Sequence, residues 1–282
     1  DAQPGFYTGV TSQATEQLPC SVGEYAAGHK NVFCDTADAG YFVGSTGSPV
    51  QEACLAGFFA ATPGQSTCTA AGLGFFVGST AASGQTSCPE GTYTDVQAKD
   101  ICDDAQPGYY TGVTSQASEQ LPCDPGRYSE EYNSLFCDNA DAGFYVASSA
   151  ASVQTACEVG RFQPEEGQLS CLPTDPGYFV DTRGASEQSS CVPGHFQDQV
   201  GQSTCLEASP GYFVEESKAA SQDPCERGNF NPLSAQIECL PADKGRFVDT
   251  TASINQTKCF LGTYSDRTGL STCFKAPIGF FV

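Results

Sequence analysis

Residues 54–88, CLAGFFAATPGQSTCTAAGLGFFVGSTAASGQTSC, hold the pattern on which the whole chain is built. Cys54 and Cys68 stand 14 positions apart, and Cys88 opens the next pair 34 residues after Cys54. A shorter period runs inside the long one: Gly57 and Gly74 are 17 apart, and Phe59 or Phe76 follows each glycine by two positions. Outward from this stretch the cysteines recur as Cys20/Cys34, Cys54/Cys68, Cys88/Cys102, Cys123/Cys137, Cys157/Cys171, Cys191/Cys205, Cys225/Cys239 and Cys259/Cys273, with a step of 34 that once becomes 35. The glycine recurs from Gly5 to Gly279, and an aromatic residue stands two positions later in all 17 cases. A period of this length marks a small supersecondary unit stacked many times. Residues 1–282 therefore read as one continuous array of eight 34-residue units plus the start of a ninth, without a linker. Each unit is two 17-residue half-units, one with a cysteine pair and one without. The segment Asp1–Cys20 nearly repeats at Asp104–Cys123, the mark of a duplicated three-unit block.

The half-unit reads as a tight turn entering a short strand. Proline precedes the glycine at Pro4, Pro107, Pro125, Pro176, Pro193 and Pro210, and Pro-Gly presets a turn with positive φ at glycine. Alternation along Gly40-Tyr41-Phe42-Val43 predicts that the second aromatic faces the core. In the cysteine-free halves the position after the glycine is aromatic too, except at Arg246. Glutamine stands three positions before the first cysteine of every pair, at Gln17, Gln51, Gln85, Gln120, Gln154, Gln188, Gln222 and Gln256. Its amide can satisfy backbone groups that lack a ladder partner, form an exposed row, or meet a ligand. A 34-residue unit is too small to hold a core alone, so stacking and cross-links must supply stability. The expected fold class is all-β and loop-rich: an elongated, disulfide-stapled tandem-repeat rod.

Sixteen cysteines, an even number, with 30 glycines, 17 prolines and neither Met nor Trp, point to paired thiols in an oxidising compartment. The expected localisation is extracellular or cell-surface. A net charge of −21 repels a phosphate backbone, which excludes nucleic acid as a partner, and keeps an aromatic-rich chain dispersed. No apolar run approaches a membrane span, and no leader-like segment precedes Asp1, so the sequence reads as part of a mature exported chain.

The motif Cys-x-x-Gly-x-aromatic-x8-Cys, as in Cys88-Pro89-Glu90-Gly91-Thr92-Tyr93 to Cys102, resembles the ephrin-receptor-like cysteine-rich repeat and the single-disulfide module of tumour-necrosis-factor receptors. All eight stapled halves match it. The resemblance implies that the two cysteines of each module bond to each other, Cys20 to Cys34 and likewise in the seven corresponding pairs to Cys259 with Cys273. The other linkage, Cys34 to Cys54 along the chain, would strand Cys20 and Cys273. Those families add further cysteines, often as Cys-x-x-Cys, and every second half-unit here has none.

Little else in the sequence carries chemistry. His29 and His195 occupy different places in their units, and no close cysteine pair suits a structural zinc ion. No nucleophile elbow, phosphate loop or His-Glu-x-x-His is present, so no enzyme and no cofactor are expected. The acidic clusters Asp35-Thr36-Ala37-Asp38, Asp103-Asp104 and Asp138-Asn139-Ala140-Asp141 suit solvated charge better than calcium, because the acids shift from unit to unit. Asn255-Gln256-Thr257 is an N-glycosylation sequon, and tracts such as Thr11–Thr15 and Ser148–Ser152 suit O-glycans. The chain opens within a unit and stops after Gly279-Phe280-Phe281 has begun another, an uncapped pattern that predicts continued stacking or head-to-tail self-association. The function expected is structural: the shaft or wall of a self-associating surface filament. The alternative is an adhesin or receptor-like rod binding a protein or glycan, with Glu130–Phe136, which adds Tyr132 and Phe136, as its contact patch.

Overall fold

The computed structural model describes residues 1–9 and 15–279. Of the residues singled out above, Thr11, Ser12, Gln13, Ala14, Phe280 and Phe281 lie outside the described residues. Among the described residues there is no helix. Every regular element is a two-residue strand, and consecutive strands pair into two-stranded sheets, from Phe6–Tyr7 with Leu18–Pro19 to Thr263–Tyr264 with Phe274–Lys275. One such hairpin makes one half-unit. Its register recurs: Tyr41 lies opposite Ala53 and Phe42 opposite Glu52, while Tyr178 lies opposite Ser190 and Phe179 opposite Ser189, and in the two lengthened half-units the partner falls one residue later, as with Tyr109 opposite Pro122.

Local geometry explains why the strands stay so short. At Gly40 the Tyr41 N–H donates to the Asp38 carbonyl at 3.0 Å and φ is 87°, a type II turn with glycine in its third position. Proline at the second position, as at Pro176, presets the same turn. Seven residues after the glycine the chain turns again in left-handed conformation, as at Gly47, Gly64 and Ala81. Two residues per strand cannot hold a sheet by themselves, and isolated hairpins are marginal in water.

The missing stability comes from the junctions. The residues fall into two compact units, Asp1–Asp138 with Ser148–Val153, and Asn139–Ala147 with Gln154–Val282. Inside each, neighbouring half-units are joined by the same four backbone hydrogen bonds. In the first unit Gly40 N–H donates to Ala60 O at 2.9 Å and Val43 N–H to Gln65 O at 2.9 Å. Gly64 N–H returns to Ala37 O at 2.8 Å, and Cys54 N–H to Gly40 O at 2.9 Å. In the second unit Gly177 bonds Gln197, Val180 bonds Gln202, Gly201 bonds Thr174 and Cys191 bonds Gly177, all at 2.8–3.1 Å. Where the step lengthens after Gly108, the extra residue enters in the loop between Tyr110 and Leu121, where Ser115 bridges to Pro89 and Ala117 to Tyr93.

The core corrects one expectation. Alternation placed the second aromatic inside, yet Tyr25, Phe42, Phe59, Phe76 and their equivalents are half-buried, and Phe247 alone among the described rings counts as buried. The interior is built from three small positions: the glycine itself, the residue three before it and the residue three after it. Cys54, Ala37, Ala71, Val43 and Val77 are fully or almost fully buried. Glycine excludes a larger neighbour at this point. A Cβ on Gly177 would collide with the Lys218 carbonyl, two half-units further along, so three successive half-units meet at one glycine. The rings instead flank the slender core. Phe6 and Pro19 lie over Gly47, where a Cβ would meet them at 3.7 and 3.6 Å, and Lys218 lies 5.8 Å over the Tyr178 ring, each a contact from one half-unit to the turn of another.

The position three after the glycine differs between the halves. Six of the eight cysteine-free halves place valine there, whereas the stapled halves include Thr94, Ser129, Gln163, Gln197 and Asn231. These buried amides and hydroxyls need partners. Gln163 donates to Ser170 O at 2.8 Å and accepts from Glu165 N–H at 3.2 Å, and Gln197 repeats this with Thr204 and Gln199. Asn231 donates to Tyr212 O and Glu238 O at 3.0 Å, but its buried Oδ1 has no partner. Asparagine is one methylene too short to reach the equivalent N–H. Replacing Asn231 by Gln is expected to raise stability by about 1 kcal/mol, seen as a higher urea midpoint; a lower midpoint would show that the site has no room for the methylene.

Candidate functional site

Eight disulfides span the array: Cys20–Cys34, Cys54–Cys68, Cys88–Cys102, Cys123–Cys137, Cys157–Cys171, Cys191–Cys205, Cys225–Cys239 and Cys259–Cys273. Each has a sequence separation of 14 and Cα atoms 5.7 or 5.8 Å apart. The first cysteine of each pair sits three residues before a glycine, and all but Cys259 are fully buried there. The second lies nearer the surface, eleven residues after that glycine. Each bridge thus ties the end of a hairpin's long loop to the core of the same half-unit. No cysteine is free.

The pairing is the one expected in all eight stapled halves, while the surroundings differ at Cys171 and Cys239. Cys171 is buried, whereas the second cysteine of every other pair is half-buried. The physical reason is Arg161, whose Nη1 donates to the Cys171 carbonyl at 3.1 Å and so brings the guanidinium against it. Cys239 keeps the usual exposure, but its sulfur also serves as a weak acceptor, because Asn231 Nδ2 donates to the Cys239 Sγ at 3.7 Å. Gln163 and Gln197 aim their amides at loop carbonyls instead. Both departures come from side chains that vary between stapled halves, which the constant cysteine spacing does not register.

Where cysteine is absent, alanine or threonine takes the buried place, as at Ala37, Ala208 and Thr174, and the recurrent glutamine takes the place of the second cysteine. All eight glutamines act alike. The Oε1 of Gln17, Gln51, Gln85, Gln120, Gln154, Gln188, Gln222 and Gln256 accepts from the backbone N–H two residues before the half-unit's glycine, at 2.6–2.9 Å. In four halves the amide also donates to the aspartate at that place, Asp38, Asp141, Asp175 or Asp243, at 2.5–2.7 Å. The glutamine is therefore a hydrogen-bonded clasp standing where a disulfide stands in the next half-unit. Asp38 and Asp141, read from the sequence as solvated members of acidic clusters, owe their place to this clasp. The sequence carries the signal: counted from the glycine, six of the eight glutamines share the position of the second cysteine, and Gln17 and Gln120 fall one later in the two lengthened half-units. Gln188→Ala is expected to lower stability by about 1–2 kcal/mol through loss of both bonds, measurable as accelerated amide exchange at Asp175.

The remaining singled-out residues are scattered. His29 is exposed, and His195 is half-buried in a strand opposite Glu207. Asn255 is exposed, next to the clasp residue Gln256, and Thr257 pairs with Phe247. Among the described residues no group of three or more His, Cys, Asp or Glu side chains is placed to hold a metal ion. Tyr132 and Phe136 are both largely exposed.

Between halves the surface forms a repeated open groove. One copy, of about 390 Å³, lies between Phe42, Glu52, Leu55, Phe58 and Cys68, and another, of about 340 Å³, lies between Tyr110, Leu121, Asp124, Arg127, Phe136 and Cys137. Both use the same repeat positions: the ring of a cysteine-free half, and the outer cysteine of the stapled half that follows. Titration is perturbed clearly at one place. Burial raises the Tyr93 phenol above its usual range, with the charges of Asp95 and Asp103 adding to it, and the hydrogen bond to Asp103 holds the Lys99 ammonium above the usual lysine value.

These features define a class: an all-β, disulfide-stapled tandem cysteine-rich repeat protein. No helix among the described residues is long and apolar enough to cross a membrane. No family model matches the chain, and no curated protein matches it.

Proposed function

We propose that this chain is a structural segment of an extracellular protein, forming the shaft or wall of a self-associating surface filament. The observation that carries the reading is the junction. Within each unit, neighbouring half-units are held by the same backbone bonds, made by N–H and C=O groups that no ordinary side-chain change removes. Half-units joined in this way are interchangeable, which suits a space-filling array better than a site where acid, base and nucleophile converge. Eight cross-links favour an oxidising, extracellular setting. Asn255, exposed and in a sequon, is the place for an N-glycan in a glycosylating source.

The test is electron microscopy of native material. Long particles of constant width with a helical repeat support the filament; single thin rods anchored at one end to a membrane overturn it. The second reading, an adhesin or receptor-like rod, is favoured by the repeated groove and by the exposure of Tyr132 and Phe136. The likeness of the stapled halves to ephrin-receptor and tumour-necrosis-factor-receptor modules belongs with that reading as a likeness of module.

A further inference from the structure

Three stapled half-units within Asp1–Asp138 share a combination absent from the other five: a tyrosine two residues after the glycine, an aspartate in the second strand, and an apolar residue two before that aspartate. They are Tyr25/Phe33/Asp35, Tyr93/Ile101/Asp103 and Tyr128/Phe136/Asp138. The register sets Tyr25 opposite Asp35 and Tyr93 opposite Asp103. Phe33, Ile101 and Phe136 are 74%, 65% and 66% exposed. In the second unit the arrangement is reversed. Leu172, Leu206 and Leu240 lie opposite Phe162, Phe196 and Phe230, and the exposed place holds Ser170, Thr204 or Glu238. There the half-unit completes itself; in the three tyrosine halves the second strand carries an acid and the residue two before it is an exposed apolar side chain.

One of the three is already filled from within. Lys99 lies 2.7 Å from Asp103 Oδ2 and 3.0 Å from Oδ1, so its ammonium meets both carboxylate oxygens of the Tyr93 half-unit. Lysine at this place, eight residues after the glycine, occurs in no other stapled half. In the Tyr25 half-unit the place belongs to Asn31, whose amide donates to the Gly28 carbonyl and not to Asp35. The surroundings favour a cation: Asp1–Asp138 carries 16 acidic residues against Lys30, Lys99 and Arg127, and Lys30 and Lys99 are paired with Asp1 and Asp103.

We propose that Tyr25, Phe33 and Asp35 form a docking point for a lysine side chain on a basic, apolar-flanked segment of another protein, the contact that Lys99 makes in cis at Asp103. The carboxylate takes the ammonium, the tyrosine ring takes the stem, and Phe33 takes the neighbouring apolar residue. This surface lies on a face of the half-unit and uses none of the junction bonds, so it holds for a filament subunit and for a single rod alike.

The test uses the whole chain, a short biotinylated peptide of alternating lysine and leucine at physiological ionic strength, and a carbodiimide, which joins an amine to a carboxylate that it touches. Cross-linked peptides are then mapped by mass spectrometry. Peptide attachment at Asp35 is expected to exceed that at the exposed Glu215 and Glu216 by about fivefold, the worth of an ion pair joined to a ring contact. Lys99→Ala is expected to add Asp103 as a second preferred site, and Tyr25→Leu to return Asp35 to the level of Glu215. Attachment spread evenly over the exposed acids would overturn the proposal, as would silence at Asp103 in the Lys99→Ala chain. Links from Asp35 to lysines of a second copy, formed equally well without peptide, would also overturn it and name the occupant as this chain itself.

Discussion

Gly177→Ala is expected to destabilise its unit by about 3–5 kcal/mol, the combined cost of a non-glycine residue at positive φ and of forced overpacking. Gly177 has φ of 85°, its N–H and C=O are held by Gln197 and Cys191, and a Cβ there would strike the Lys218 carbonyl. The backbone on three sides cannot yield separately, because each part is bonded to the others. The effect should extend to the neighbours on either side, appearing as fast amide exchange from Gly177 to Lys218 together with a lower urea midpoint. Gly84→Ala is the control: Gly84 is exposed, has no positive φ, and a Cβ there meets nothing within 4 Å. It should change stability by less than about 0.5 kcal/mol. Equal effects from the two substitutions would show that the three-way contact carries no energy.

Removal of one bridge is the second large effect. Cys191→Ala with Cys205→Ala is expected to cost about 3 kcal/mol, the chain-entropy value for a loop of this size. Alanine fits the buried place, since Ala37, Ala71 and Ala208 are fully buried in the array. The informative comparison is Cys191→Ala with Cys205→Gln, which writes the cysteine-free design into a stapled half-unit. Glutamine at 205 should accept from the Val192 N–H and recover about 1 kcal/mol of the loss. The recovery stays partial, because Val192 supplies no carboxylate for the second bond that Asp175 gives Gln188. Denaturation of the two double variants side by side measures the difference. A glutamine variant no more stable than the alanine one would mean that the clasp depends on its own half-unit's surroundings.

Much of this architecture is written in spacing. The 34- and 17-residue periods and the turn at each glycine follow from residue types at fixed intervals, because turns and repeats are local. Alternation does not locate the side that turns inward at Phe42, which is half-buried. Alternation is a rule for a strand long enough to own two faces, whereas a two-residue strand bounded by turns has its environment set by the next half-unit. Val43, one residue further, is the buried one because its N–H is fastened to Gln65 of the following hairpin. At the bridges the expected pairing holds throughout, while the surroundings of Cys171 and Cys239 are set by Arg161 and Asn231.

By itself, then, the sequence determined the repeat, the turn and the composition of a cross-linked, acidic, loop-rich chain, since these depend on residues near one another. Tertiary structure alone decided what lies inside and what each recurrent residue does. It showed that glycine is required by a carbonyl two half-units away, and that glutamine and cysteine are two answers to one problem. It also set a tyrosine beside an aspartate at Tyr25 and at Tyr93, with a lysine already on the second pair. Such relations reach across half-units, as from Gly177 to Lys218. Only the stacking of one hairpin on the next brings them into contact, and stacking is driven by burial and backbone bonding that no single half-unit can satisfy alone.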